Sequence, residues 1–222
     1  MMINIAIDGP SAAGKSTIAK LLAKQLGYVH IDTGAMYRCC AYQSLRNHIE
    51  LTDLQGLEDM LNHMEVSFDK DGNVFINDED VSKSIRTNEI SMRTSSIAKI
   101  LLVREKMVAK QREMAKAKGF ILDGRDIGTV VLPDAEVKIF MVASVEARAK
   151  RRYEEYKQQG VDISYESIAS DIEQRDYQDM NRETSPLKKA SDAIEIDTSL
   201  LNIEQVVNKV LSIIQKKEKQ DD

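Results

Sequence analysis

The sequence predicts an α/β fold in which a parallel sheet of five strands is flanked by helices. Five short apolar runs predict the strands, and stretches with helical periodicity separate them, which is the pattern of a parallel sheet. Each run ends in polar or glycine-containing sequence, and open α/β sheets bind ligands at these carboxyl ends of their strands. The runs are Ile3–Ile7, Tyr28–Ile31, Phe120–Leu122, Val137–Val142 and Ala193–Ile196.

The first strand leads directly into a glycine-rich loop and then into a helix over Ser16–Leu26. The loop reads GPSAAGKST and matches the pattern G-x-x-x-x-G-K-[ST] of phosphate-binding loops. Gly9 and Gly14 permit turns that point successive N–H groups at one anion, Lys15 adds a positive charge, and Ser16 is placed to hold Mg²⁺. We therefore predict that a nucleoside triphosphate binds Gly9, Pro10, Ser11, Ala12, Ala13, Gly14, Lys15, Ser16 and Thr17.

Length and composition narrow the class of protein. A chain of 222 residues suits one sizeable core with insertions and not a multi-domain motor. The net charge of −5 argues against a general nucleic-acid binder, which usually has a basic face. Cys39 and Cys40 are adjacent, so they offer neither metal spacing nor a disulfide framework, and no apolar run is long enough for a signal peptide or membrane span. We expect a cytoplasmic protein without nucleic-acid or membrane partners.

Two regions do not fit the parallel framework. Short alternating runs at Val66–Phe68 and Val74–Ile76, around Asp71-Gly72-Asn73, predict a small antiparallel hairpin inserted into the chain. Val145–Gln159 and Tyr165–Asn181 are charged and helical in period, and a glycine lies between them. They predict a helical hairpin on the surface.

Several arginines lie beside glycine turns, strand ends or the charged hairpin. Planar guanidinium groups bind the oxygens of a transferring phosphoryl group, over which negative charge spreads in the transition state. Arg125 lies between Asp123 and Asp126 at a strand end, where a purely solvated charge is not expected. The arginines in these positions are Arg38, Arg104, Arg125, Arg175 and Arg182. For Arg148, Arg151 and Arg152 a solvated helix face is the simpler interpretation.

Five separated blocks of the sequence resemble those of bacterial cytidylate kinases, a family of P-loop nucleoside monophosphate kinases. The blocks follow the order of the family over nearly the whole chain: GPSAAGKST at 9–17, DTGAMYR at 32–38, IRT at 85–87, DGRDIGTVV at 123–131, and the segment from Arg175-Asp176 to Asn181-Arg182. The resemblance implies a single kinase domain over 1–222. Its parts would be a core at 1–32, 104–147 and 183–222, a monophosphate-binding region with a small antiparallel sheet at 33–103, and a helical lid at 148–182.

The resemblance also implies an activity, namely transfer of the γ-phosphoryl group of ATP to CMP or dCMP in the presence of Mg²⁺, by a monomer. Carried over residue by residue, Thr33, Arg38 and Arg125 would hold the acceptor phosphate, and Ser95, Arg104 and Asp126 would face cytosine. Arg175 and Asp179 would lie near the ribose, and Arg182 would reach the transferring phosphoryl group. The residues implied in catalysis are Lys15, Arg125, Arg175 and Arg182.

Physical chemistry supports this division and leaves some alternatives open. A carboxylate at Asp126 accepts from the exocyclic amine of cytosine while Arg104 donates to N3 and O2, a pattern that uracil reverses. Residues 175, 179 and 182 have the spacing of one helix face. Ser95 is equally compatible with an ordinary helix position. Asp32 or Asp123 either orients a metal-bound water or caps local backbone.

Three other functions are considered. A kinase for a different small metabolite, such as shikimate or another nucleoside monophosphate, would share the loop, sheet and lid. A regulatory GTPase should carry an N-K-x-D motif after a strand, and the sequence has none. A nucleic-acid-stimulated ATPase would turn over ATP without any monophosphate acceptor.

Overall fold

The computed structural model describes residues 2–69, 72–158 and 160–218. The strands are β1 (Ile5–Asp8), β2 (Val29–Asp32), β3 (Val66–Phe68), β4 (Val74–Ile76), β5 (Glu79–Asp80), β6 (Phe120–Gly124), β7 (Val137–Val142) and β8 (Ile194–Asp197). The α-helices are α1 (Lys15–Leu26), α2 (Thr33–Arg46), α3 (Leu54–His63), α4 (Asn88–Ile97), α5 (Leu101–Ala115), α6 (Val145–Gln158), α7 (Tyr165–Asn181) and α8 (Ile203–Glu218). A 3₁₀ turn at Ser84–Arg86 and a π-helical turn at Ile127–Val131 complete the fold.

Five of the strands form the predicted parallel sheet, in the order β2-β6-β1-β7-β8. The five apolar runs fall on these strands with boundaries shifted by at most two residues. The register aligns the carboxyl ends: Asp8 pairs with Gly124, and Asp32 pairs with Asp123. Side chains and loops that follow three neighbouring strands therefore meet at one edge of the sheet.

Helices cover both faces of the sheet because its strands are apolar on both sides. On one face, Ala6 and Leu122 lie in a core cluster with residues of α2, α3 and α5. On the other face, Ile5 and Ile7 pack with α1 and α8. Each fully buried aliphatic side chain in these clusters contributes about 1.5–3 kcal/mol.

The predicted hairpin is present and is extended by a third strand. β3, β4 and β5 form a separate antiparallel sheet in that order. The turn into β5 contains Asn77 and Asp78 with positive φ angles of 47° and 68°. Asp71 of the predicted first turn lies outside the described residues.

The charged segments form the expected helical hairpin, α6 and α7, with a small core of Ala149, Ile168 and Ile172. Gln159, the predicted end of the first helix, lies outside the described residues. The expectation that residue 182 continues the α7 face is wrong. Arg182 has an extended backbone with ψ of 140°, because the chain turns at that point and its Nε donates to the Ser185 carbonyl at 2.5 Å.

None of the helices in the described ranges combines the length and the apolar character needed to cross a membrane.

Candidate active site

The glycine-rich loop lies between β1 and α1 with the geometry of an anion site. Gly9 has a φ of 151°, and a Cβ there would lie 2.1 Å from the Met141 carbonyl oxygen, so only glycine fits. Gly14 has a φ of 91° and precedes the first turn of α1. The amino end of a helix, with its unpaired N–H groups, therefore faces the same space as the loop.

A cleft of about 980 Å³ opens from this loop. Its lining contains the loop from Ser11 to Thr17 together with Asp32, Asp123 and three of the predicted arginines, Arg38, Arg125 and Arg175. The loop and these arginines are remote in sequence, and the fold brings them to one surface. Thr33 is buried beside the cleft, where its hydroxyl donates to the Asp123 carbonyl at 2.7 Å.

Lys15 is buried at the base of the cleft, and its Nζ donates to the Pro10 carbonyl at 2.7 Å. Burial, and after it the positive charge of Arg125, together lower the pKa of Lys15 to about 7. A polyanion in the cleft would counter both effects, because it favours the charged ammonium.

Two acidic residues occupy the ends of β2 and β6. Asp32 caps α2, since its Oδ1 accepts from the Ala35 amide at 2.9 Å, which matches the backbone-capping alternative. Asp123 contacts side chains: Oδ2 accepts from the Ser16 hydroxyl at 2.8 Å, and Oδ1 lies 2.6 Å from His30 Nε2. Burial alone would raise the pKa of Asp123, but the His30 hydrogen bond and Lys15 hold it below its ordinary value.

The hydroxyl oxygen of Ser16 lies beside the phosphate loop, and the carboxylate of Asp123 lies behind it. Mg²⁺ prefers oxygen ligands and is usually held by one or two protein groups together with substrate phosphates. The residues present therefore fit a magnesium ion that arrives with a nucleotide.

Two arginines of the cleft are fixed by specific partners. Arg38 donates to the Ile85 carbonyl at 3.1 Å and to the Ser91 hydroxyl at 2.7 Å. Arg125 forms an ion pair with Asp179 of α7, with Nε and Oδ2 2.7 Å apart. Burial and the charge of Arg125 lower the pKa of Arg175 to about 10. Such mutual repulsion favours an anion in this space.

A second group of predicted residues meets deeper in the protein. Arg104 and Asp126 form an ion pair whose side chains are 3% and 7% exposed. Arg182 approaches the same carboxylate, with Nη2 3.5 Å from Asp126 Oδ1. The described residues supply no hydrogen-bond acceptor for Arg104 Nε or Arg182 Nη2, so two buried donors are left for another partner.

Ser95 lines a second, smaller cavity of about 260 Å³ between α4 and the α6–α7 hairpin. Arg152, Arg175 and Gln178 also line this cavity. In the described part of the chain, no hydrogen bond joins Ser95 to Arg104 or Asp126. The structure thus brings Arg104 and Asp126 together without Ser95.

The solvated-face interpretation is wrong for Arg148 of α6. Arg148 is 3% exposed and donates to the carbonyls of Ala143 and Ser11 at 2.9 and 3.1 Å, and its Nη2 lies 2.6 Å from Asp176 of α7. It therefore connects the phosphate loop to both helices of the hairpin.

Arg151 and Arg152 are also engaged in the fold. Arg151 donates to the backbone of Thr198, and Arg152 lines both cavities. The spacing of 148, 151 and 152 places these arginines on one helix face directly after β7, a signal available in the sequence.

Asp8 was also not singled out from the sequence. It ends β1, and its two oxygens accept from the Ile127 and Gly128 amides at 2.8 and 2.7 Å. Burial raises the pKa of Asp8 to about 6, although these hydrogen bonds act in the opposite direction. Asp8 thus joins the phosphate loop to the segment that begins at Asp126.

A family model and similar sequences point to the same family. The family model for cytidylate kinase matches residues 5–216. A cytidylate kinase from Lactobacillus gasseri is 51% identical over 221 residues, which are 98% of this chain and 96% of that protein. A cytidylate kinase from Bacillus cereus is 53% identical over 215 residues, 96% of each chain.

Among solved structures, a gluconokinase from Sinorhizobium meliloti is similar in shape, with a TM-score of 0.50 at 14% identity. The match covers 98% of this chain and 94% of that one. At this identity the similarity bears on the fold alone.

Proposed function

Because the chain belongs to the cytidylate kinase family, we propose that it transfers the γ-phosphoryl group of ATP to CMP or dCMP, giving ADP and CDP or dCDP. The observation that carries this proposal is the single cleft in which the phosphate loop faces Arg38, Arg125 and Arg175. Direct transfer between two phosphates requires a donor site and an acceptor site that open into the same space. As nucleotides of this kind are cytoplasmic, we propose that the enzyme works in the cytoplasm.

On the donor side, the loop from Gly9 to Thr17 would surround the phosphates of ATP, and Lys15 would contact the β- and γ-phosphates. Ser16, with Asp123 behind it, would hold Mg²⁺ on the nucleotide. When bound, the ion supplies neutralisation of the charge that develops between the β- and γ-phosphates. The lowered pKa of Lys15 supports this role, since a buried amine beside an arginine gains most from a polyanion.

On the acceptor side, Arg38 and Arg125 would grip the phosphate of CMP, with Thr33 at its edge. Arg125 is now paired with Asp179, so the acceptor phosphate would replace that carboxylate as its partner. Asp179 would then be free to accept from a ribose hydroxyl, with Arg175 beside it. These five residues come from α2, the segment directly after β6, and α7 of one chain, and we propose that the enzyme acts as a monomer.

The base would be read by Arg104 and Asp126, with Ser95 as a further candidate. The carboxylate of Asp126 would accept from the exocyclic amine of cytosine, and guanidinium donors would meet N3 and O2. The buried Nε of Arg104, which lacks an acceptor, supports this assignment, because an unpaired buried donor is costly unless a ligand completes it.

Catalysis in this site would need no strong general base. The oxygen of the acceptor phosphate is already anionic near neutral pH, so the enzyme has to align it with the γ-phosphoryl group and stabilise charge on the equatorial oxygens. Lys15, Arg125, Arg175 and Arg182 would supply that charge.

We further propose three functional parts. The core, 1–32, 104–147 and 183–222, would hold ATP. The region 33–103, with the small antiparallel sheet, would close on the monophosphate. The segment 148–182, which contains α7 and all but the first three residues of α6, would act as a lid that keeps water from the activated phosphoryl group.

An acceptor panel tests the proposal. Purified enzyme is supplied with Mg²⁺ and ATP, and ADP formation is measured with CMP, dCMP, UMP, AMP, shikimate or no acceptor. We expect rapid turnover with CMP and dCMP, slower turnover with UMP and almost none without acceptor. Preference for shikimate or AMP would favour a kinase for another metabolite, and turnover without any acceptor would favour an ATPase.

A further inference from the structure

His30 is a buried titratable residue for which the proposed mechanism has no role. It lies on β2, three residues before the helix α2 begins at Thr33, and its side chain is 9% exposed. Its Nε2 lies 2.6 Å from Oδ1 of Asp123 on the neighbouring strand β6. Since a carboxylate oxygen accepts, Nε2 is the donor in this contact.

The contact continues to the phosphate loop. The second oxygen of Asp123 accepts from the hydroxyl of Ser16, at 2.8 Å, on the first turn of α1. His30, Asp123 and Ser16 therefore form a line of hydrogen bonds that joins β2, β6 and α1. A carboxylate held at one oxygen can still turn about its side chain, whereas one held at both oxygens has a fixed plane.

This fixed plane determines the orientation of Ser16. Because the hydroxyl hydrogen is donated to Asp123, the lone pairs of the Ser16 oxygen remain available on the side of the cleft, which Ser16 lines. A metal ligand needs its lone pairs directed away from its own hydrogen-bond acceptor. The hydrogen bonds thus orient the lone pairs of the Ser16 oxygen toward the position of a cation that enters with the nucleotide.

His30 also interacts electrostatically with two neighbouring carboxylates. Asp32 and Asp123 are paired in the register of β2 and β6, so two carboxylates lie close together. After burial, the negative charge of Asp123 is the next cause that raises the pKa of Asp32, and His30 acts in the opposite direction. His30 acts on both acidic groups in the direction that offsets their repulsion.

We propose that His30 is a positioning residue for the magnesium–nucleotide complex: it holds Asp123, and through Asp123 it orients Ser16 toward the metal ion. This inference rests on the proposed donor site and not on the identity of the acceptor. Partners behind the ligands of a metal ion typically contribute about 10- to 100-fold to metal affinity.

The test compares nucleotide binding with and without magnesium by titration calorimetry. In His30→Leu the donor to Asp123 is lost, and we expect the affinity for Mg²⁺–ATP to fall by at least about tenfold. The affinity for ATP in the presence of a chelator should not change, because the loop amides and Lys15 are intact. His30→Gln places an amide nitrogen near the position of Nε2 and should restore most of the magnesium-dependent gain.

Two further variants serve as a control and as a replacement for His30→Leu. His63→Leu removes a histidine at the exposed end of α3, where Nδ1 contacts the Asp59 carbonyl, and should leave both affinities unchanged. If His30→Leu does not fold, His30→Asn serves instead, because its amide is too short to reach Asp123 in the position of Nε2.

Equal affinity of wild-type protein and folded His30 variants for Mg²⁺–ATP would overturn the proposal. So would an equal loss of Mg²⁺-free ATP binding, which would indicate a purely structural histidine. Since no acceptor is present in these titrations, a failed acceptor panel would contradict the proposed function and leave this result standing.

Discussion

Arg104 and Asp126 form an ion pair inside the protein, although Arg104 lies on α5 and Asp126 follows β6. The carboxylate also faces Arg182, so one negative charge is shared by two guanidinium groups. Arg104 Nε and Arg182 Nη2 are buried and have no hydrogen-bond acceptor among the described residues. The cluster therefore carries an unpaired donor of Arg104 next to the acceptor oxygens of Asp126, a pattern that complements the N3, O2 and amine edge of cytosine.

Replacing Asp126 by Asn should reduce the preference for CMP over UMP. The amide offers a donor where cytosine presents its own amine, while uracil presents an acceptor at that position. One such polar mismatch in a buried site is worth about 1–3 kcal/mol, which corresponds to a loss of roughly 5- to 150-fold in the ratio of kcat/KM values.

Steady-state kinetics with both acceptors measures this ratio, and the KM for ATP should change little. Asp192→Asn is the matched control, since this carboxylate pairs with Lys138 but is itself 61% exposed. An unchanged ratio of kcat/KM values in Asp126→Asn would remove Asp126 from base recognition.

The sheet was predictable from the sequence because a buried parallel strand is apolar along its whole length. The runs at Ile3–Ile7 and Val137–Val142 show this pattern without any knowledge of their partners. β5 was missed for the opposite reason. Glu79 and Asp80 are exposed and charged, and their strand is defined by backbone pairing with Phe75 and Ile76 alone.

In the candidate site, too, features that lie within one stretch of sequence were predictable, whereas contacts between remote elements were not. The loop from Gly9 to Thr17 is contiguous, so its spacing alone predicts an anion site. The burial of Arg148 depends on Ser11 and Asp176, which arrive from other elements, and the composition of α6 resembles that of any solvated helix. The contact of His30 with Asp123 depends on the register of β2 and β6, which local sequence does not specify.

Binding of ATP should take up a proton near neutral pH. In the free protein, burial lowers the pKa of Lys15 to about 7, so part of the population is uncharged. Phosphates favour the ammonium form and raise this pKa on binding, so the affinity for ATP should decrease as the pH rises above about 7. Calorimetry in buffers of different ionisation enthalpy measures the proton uptake directly.

Lys15→Ala provides the control for this effect. It should lose the proton uptake and lower turnover by about 100- to 1,000-fold, as expected for loss of one group that stabilises the transition state. Proton uptake that persists in Lys15→Ala would have to come from another group, and near-normal turnover would contradict the role of Lys15.

Arg148→Met should destabilise the protein strongly. The substitution keeps a similar volume but removes the guanidinium group that joins Ser11, Ala143 and Asp176. Asp176 is 9% exposed, and its Oδ1 already lacks a hydrogen-bond partner among the described residues. Loss of one member of a buried pair typically costs about 3–5 kcal/mol of the free energy of unfolding.

Urea denaturation measures this loss, and Arg46→Met is the matched control. Arg46 pairs with Glu79 at the surface, where both side chains are 50% exposed, so its removal should have little effect on stability. If both variants unfold at the same urea concentration, Arg148 does not anchor the hairpin to the phosphate loop.

Because of Asp8, the free energy of unfolding should decrease as the pH rises from about 4 to about 6. Burial, reinforced by the charge of Asp126, raises the pKa of Asp8 to about 6 in the folded state. In this range the folded protein binds the proton more tightly than the unfolded chain does, so stability decreases as the pH rises. The rise of this pKa from 3.8 to about 6 corresponds to roughly 3 kcal/mol.

The comparison with Asp8→Asn isolates this contribution. The amide does not titrate, so the free energy of unfolding of the wild type, minus that of the variant, should decrease across the same window when both are measured by urea denaturation. Asp123 and Asp179 have lowered pKa values and lose their stabilising effect only at more acidic pH, in both proteins alike. A difference that stays constant with pH would mean that Asp8 is ionised throughout, with its two amide hydrogen bonds outweighing the cost of its burial.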